Sequence, residues 1–125
     1  MNRDDFTVLV RDLCGVEPDH PFADDMTTAV FRHANNRKWF ALMMTISKSR
    51  LGIQEDGMID VVNLKCAREV MDTLFQEEKG IYPAYHMNKN HWITVLLDGT
   101  VSDDTLQWLL SISYDLTKVK IKAKK

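Results

Sequence analysis

His86-Met87-Asn88-Lys89-Asn90-His91-Trp92 runs directly into Ile93-Thr94-Val95-Leu96-Leu97-Asp98-Gly99, and the fold of this chain is read from that stretch. Its first half packs two imidazoles, two amides, a cation and an indole ahead of a strand. Its second half alternates: Ile93, Val95 and Leu97 fall on one face, Trp92, Thr94 and Leu96 on the other, the period-two pattern of a strand with two distinct sides. Asp98-Gly99 then reads as a turn. The polar half is either recognition chemistry or a turn whose side chains satisfy their own backbone. Thr94 sharing a face with Trp92 predicts that this side of the sheet is partly wet, as open antiparallel sheets often are.

Working outward, Phe6, Leu9, Val10 and Leu13 fall at helical spacing between an N-cap at Asn2 and a stop at Gly15. Pro18 and Pro21 mark a loop. Thr28–His33 and Lys38–Ile46 read as two strands around Ala34-Asn35-Asn36-Arg37, where asparagine tolerates the left-handed backbone of a tight turn. This predicts a β-hairpin with a polar, basic tip. Ser47–Gly57 is aperiodic and reads as a connection, Met58–Leu64 as a third strand. Ala67, Val70, Met71 and Leu74 restore helical spacing until Gly80 and Pro83 end it. A last helix starts at Ser102, with Asp103 and Asp104 suiting the positive end of its dipole and Leu106, Leu109, Leu110 and Ser113 on its inner face, widened by Trp108 and Ile112. Strands grouped between helices, with connections too short for parallel crossovers, predict an α+β sandwich: an antiparallel β-sheet covered on one face by helices.

The chain has 125 residues, 45% hydrophobic and 27% charged, ordinary values for one globular domain spanning 1–125. The longest apolar run, Trp39–Met44, is too short for a bilayer, and Met1–Asp5 lacks the layout of a secretion signal, so a soluble cytoplasmic protein is expected. Cys14 and Cys66 are isolated and read as small buried apolar residues. Net charge is only −2, but it is blocked along the chain. Residues 1–29 set Arg3 and Arg11 against Asp4, Asp5, Asp12, Glu17, Asp19, Asp24 and Asp25; residues 30–50 hold Arg32, Arg37, Lys38, Lys48 and Arg50 with no acid; and the tail at 118–125 carries Lys118, Lys120, Lys122, Lys124 and Lys125. A weakly acidic whole can present a locally basic surface, and local potential is what a polyanion meets.

Leu64-Lys65-Cys66, Pro83-Ala84-Tyr85 followed by the H-x-N-K-x-H-W block at 86–92, Val95–Gly99 and Ser113-Tyr114-Asp115-Leu116 together resemble the MmcQ/YjbR family of small bacterial proteins across nearly the full chain. The resemblance implies a frataxin-like (CyaY-like) α+β sandwich. It also implies a role in DNA binding through projecting β-hairpins, described as a double wing.

On that expectation the hairpin tip is one wing and the 86–91 block the other. Arg32, Arg37, Lys38 and Lys89 would contact phosphate of double-stranded DNA, while Asn35, Asn36, Asn88 and His91 supply hydrogen bonds. The competing reading of each is a turn chosen for backbone geometry, with Trp92 anchoring a core edge. A rival of another class is a protein-interaction module using the open sheet face, with Trp92 and Trp39 as aromatic anchors. Metal handling has less behind it: His86 and His91 fit no zinc or iron spacing, and Asp4, Asp5, Asp12, Glu17 and Asp19 read as a solvated acidic face, so no metal or cofactor is expected. Nor is an enzyme, since no Gly-x-Ser-x-Gly, phosphate-cradling glycine run or Cys-His arrangement is present.

Overall fold

The computed structural model describes residues 1–118, so the lysine tail past Lys118 lies outside the described residues. In chain order the elements are α1 (Arg3–Cys14), β1 (Ala29–Arg32), β2 (Trp39–Ser47), a 3-10 turn (Lys48–Leu51), β3 (Met58–Lys65), α2 (Arg68–Glu77), β4 (Ile81–Pro83), β5 (Trp92–Leu96) and α3 (Asp103–Thr117). The strands form one open antiparallel sheet in the order β1-β2-β3-β5-β4. The α+β arrangement read from the sequence is therefore the arrangement of the molecule.

Local chemistry sets the helix ends. Asn2 caps α1 by accepting from the Asp5 amide while the Asp5 carboxylate accepts from the Asn2 amide, and Gly15 closes the helix at φ 69°. Ser102 caps α3 through the Thr105 amide. β4 is an element that sequence reasoning missed. Its three residues sit directly after the helix-stopping Gly80, and the pairing of Ile81 with Val95 and Pro83 with Ile93 makes them an edge strand, where a proline costs no ladder bond.

All three helices lie on one face. Phe6 and Val10 of α1, Met71 and Leu74 of α2, and Leu106, Leu109 and Leu110 of α3 pack on Phe31, Met43, Val62, Leu64, Ile93 and Val95. Two residues of the predicted stripes fall outside this core: Leu13 and Trp108 are each 49% exposed. Leu13 stands in the last turn of α1, and Trp108 sits between inward Leu106 and Leu109–Leu110 on a flank left uncovered among the described residues.

The second face carries an apolar cluster too. Val30, Leu42, Met44, Ile46, Ile59, Val61 and Leu96 form a smaller core against which Tyr82, Tyr85, Met87 and Trp39 pack. Loops, not helices, cover it. Thr94 corrects the wet-face expectation, because it is wholly buried. Its hydroxyl donates to Asn63 Oδ1 (2.5 Å) and accepts from the Tyr85 amide (2.9 Å), while Asn63 Nδ2 donates to the Tyr85 carbonyl (2.8 Å). Two cross-strand neighbours thus hold both backbone groups of one loop residue.

A β-bulge between β1 and β2 pairs Arg32 with Trp39 and Phe31 with Ala41, leaving Phe40 as the extra residue. The ladder between β2 and β3 begins only at Ala41–Leu64. One step earlier, where Phe40 would face Lys65, the Ser113 hydroxyl of α3 stands between them: it accepts from the Lys65 amide (2.8 Å) and donates to the Phe40 carbonyl. A side chain from the helix layer replaces a missing rung of the sheet.

Candidate nucleic-acid interface

The register brings both basic loops to one end of the molecule. Ala41 pairs with Leu64 and Leu64 with Ile93, so β2 begins, β3 ends and β5 begins on the same side. The tip at 33–38 and the connection at 84–91 both emerge there, separated by the end of β3.

The tip is docked rather than projecting. His33 is buried against Phe40 and Tyr114, with ring centroids 5.0 and 4.3 Å away. Its Nε2 is hydrogen-bonded to Thr117 Oγ1 at 2.7 Å, and that hydroxyl in turn lies 2.8 Å from the Ser113 carbonyl, so ring, hydroxyl and helix carbonyl form one buried chain. Burial holds this imidazole below its ordinary pKa, and the nearby Lys38 charge acts the same way against the opposing Tyr114 backbone contact. Asn36 donates to the Thr117 carbonyl (2.9 Å) and accepts from the Lys38 amide (2.9 Å). Arg32 is committed as well: it pairs with Asp19 at 2.8 Å and lies 5.8 Å from the Trp39 ring. What faces outward is Asn35, Arg37 and Lys38, all exposed, with Arg37 in the left-handed region at φ 64°.

The second loop divides similarly. Asn88 accepts from the Asn90 amide (2.8 Å) with its side chain and from the His91 and Trp92 amides with its carbonyl, a self-bonded turn. Lys89 Nζ donates to the Ala84 carbonyl at 2.9 Å, closing the loop across its base. His86, at φ 65°, and His91 are exposed; Trp92 is half-buried. Among the described residues no carboxylate lies within ion-pair distance of Arg37, Lys38 or Lys89.

Two further cations belong to this end and were missed from the sequence. Lys65 closes β3, and Arg68 opens α2 with Nη1 donating to Asn90 Oδ1 at 2.8 Å. Lys65 stands inside the Leu64-Lys65-Cys66 motif, but only the register shows that it reaches the rim. Asp115, also near this end, is paired with Lys118.

Part of the acidic stretch is engaged internally. Asp5 closes the α1 cap, Glu17 binds Arg11 at 2.5 Å and Asp19 binds Arg32. Among the described residues no group of three or more histidines, cysteines or carboxylates is gathered closely enough to hold a metal, and no helix is long and apolar enough to cross a membrane. Cys66 is buried and Cys14 half-buried, with burial and then Asp115 pushing the Cys14 thiol up to about 11.

This architecture has known relatives. The family model described as YjbR matches residues 11–116. The uncharacterized protein YyaQ of Bacillus subtilis (strain 168) is 37% identical over 118 residues, covering 94% of this chain and 99% of its own. YjbR of Escherichia coli (strain K12) is 40% identical over 53 residues, 42% of this chain and 45% of its own. A Pseudomonas syringae protein of known crystal structure superposes with a TM-score of 0.90 at 43% identity, covering 94% of this chain and 100% of that one. DR2400 of Deinococcus radiodurans, of domain family DUF419, gives 0.70 at 34% identity, covering 92% of this chain and 77% of that one. With the model match running from the end of α1 to the end of α3, the chain belongs to the YjbR family.

Proposed function

We propose that this protein binds double-stranded DNA, without catalysis, through the end of the sheet where the two basic loops meet. The observation that carries the reading is the convergence of Arg37 and Lys38 from one loop with Lys89 from the other, none of them ion-paired among the described residues. Such cations contact phosphate and release counterions from the duplex, which supplies sequence-independent affinity. Lys65 and Arg68 extend the same rim. Asn35 and His91 are exposed hydrogen-bonding groups with side chains uncommitted among the described residues, whereas Arg32, Asn36 and the exposed but self-bonded Asn88 serve by holding the loops in place.

The test is duplex affinity measured against salt. Log K falls linearly with log salt, with a slope of roughly 0.9 per phosphate contact, so an Arg37→Ala, Lys38→Ala, Lys89→Ala variant loses up to about 2.7 from that slope. Because Lys89 also closes its loop, the Arg37→Ala, Lys38→Ala pair is measured alongside. A salt-independent affinity, or unchanged binding in folded variants, refutes the reading.

A further inference from the structure

The loops that cover the second face of the sheet leave a groove along β2. Leu42, Met44 and Ile46 form its floor, with Trp39 toward the basic end, and it encloses about 1000 Å³ while remaining open to solvent. The segment before β1 makes one wall and contributes Asp24 and Asp25; the loop before β5 makes the other and contributes His86, with Arg50 also on the lining. Exposed apolar side chains gather at its margins: Phe22 at 40% and Met58 at 62% line it, and Met26 at 65% lies in the same segment as Phe22. Such a concentration on the surface of one small domain marks a contact site, and methionine adapts its shape to what it meets.

Three observations define the occupant. The floor residues are spaced two apart along a strand, which is the repeat of alternate side chains in an extended peptide. The groove is open to solvent rather than enclosed, so a chain can reach it without displacing the core. Its charge is asymmetric: Asp24 has no hydrogen-bond or ion-pair partner among the described residues, and Asp25 accepts from the Thr27 and Thr28 hydroxyls, which hold its carboxyl below the usual range. Arg50 would repel a cation at its own position, so basic side chains are directed to the wall at 24–25.

We propose that this groove binds an extended segment of a partner protein in which aliphatic residues alternate with lysine or arginine, the aliphatic side chains resting on Leu42, Met44 and Ile46 and the cations on Asp24 and Asp25. The groove adjoins the basic end of the sheet, with which it shares the loop before β5, but the peptide reading is argued from its own lining and does not rest on DNA binding.

The probe is an end-capped peptide alternating valine with lysine, titrated into the full-length protein and followed by amide chemical shifts and indole fluorescence. Saturable binding is expected, with shifts concentrated at Leu42, Met44, Ile46 and residues 21–28. Asp24→Lys and Met58→Glu, both surface changes that leave the melting temperature in place, each weaken it about tenfold. Replacing lysine by glutamate in the peptide abolishes it. No saturation at millimolar peptide, equal binding of the glutamate peptide, or unchanged affinity in Asp24→Lys would overturn the assignment. So would a more than fivefold gain in affinity when the chain is shortened after Thr117, which would give the groove to this protein's own lysine-rich end.

Discussion

The two loops at the basic end make an instructive pair. Both are rich in amides and cations, and both use much of that chemistry on themselves. At the 33–38 tip, His33 and Asn36 fasten the turn to the last turn of α3. At 84–91, Asn88 and Lys89 bond within the loop, while Asn63 and Thr94 grip Tyr85 from the sheet below. The first loop is held by a helix and the second by the sheet. Arg37 in the first and His86 in the second are the two non-glycine residues at positive φ among the described residues, and neither side chain is spent on such a bond. A donor-rich turn is therefore mostly a self-supporting turn, and even Lys89, which the DNA-binding proposal sets against phosphate, serves as a clasp of its own loop.

The largest expected effect comes from cutting the Ser113 bridge between β2 and β3, the strands whose ends lie beside the two loops. Ser113→Ala leaves the Phe40 carbonyl and the Lys65 amide without their partner, at about 1–3 kcal/mol for each buried group. Urea unfolding should show a loss of about 2–5 kcal/mol; a loss under 1 would mean that the strands close the rung themselves. Next, Asn63→Ala strands Thr94 and the Tyr85 carbonyl and costs about 2–3 kcal/mol, and a double-mutant cycle with Thr94→Val should give strongly non-additive losses. Additive losses would break the claim that the second loop is held as a unit.

Acid distinguishes the loops further. The folded-state pKa of His33 is depressed, so unfolded chains take up its proton first. Its contribution to stability is complete above the ordinary value of 6.5 and is lost as pH falls below that toward the folded value. Unfolding free energy measured across this window should decline with acid in the wild type and decline less in His33→Gln; parallel curves would mean the imidazole is not held neutral. The smallest effect is Arg37→Gly, which relieves a left-handed side-chain-bearing residue and raises stability by about 0.5–1 kcal/mol while lowering duplex affinity. Stability and binding moving together would show that the backbone, and not the charge, is what matters there.

Much of this was legible in the residues, for reasons that are local. Caps at Asn2 and Ser102 act over three residues, and the alternation of β5 is written in adjacent positions, so both survive being read without neighbours. The edge strand β4 was not legible, because three residues that follow a glycine and end on a proline carry no period. Thr94 was misread since alternation assigns a face but not what covers it. Within the candidate site, the placement of Arg37, Lys38 and Lys89 on one rim depends on register, and the internal duties of Arg32, Asn36 and Asn88 depend on partners as far away as Asp19 and Thr117.

Ser113 carries one more implication, for biosynthesis. The hydroxyl that finishes the β2–β3 junction, and the threonine that fastens the hairpin, arrive only with the carboxy-terminal helix. A chain still being translated can pair its strands but has nothing with which to seal that seam, so the β2–β3 junction stays unsealed until α3 has emerged. Chaperone dependence should then fall abruptly between chains ending before residue 113 and chains ending after 117.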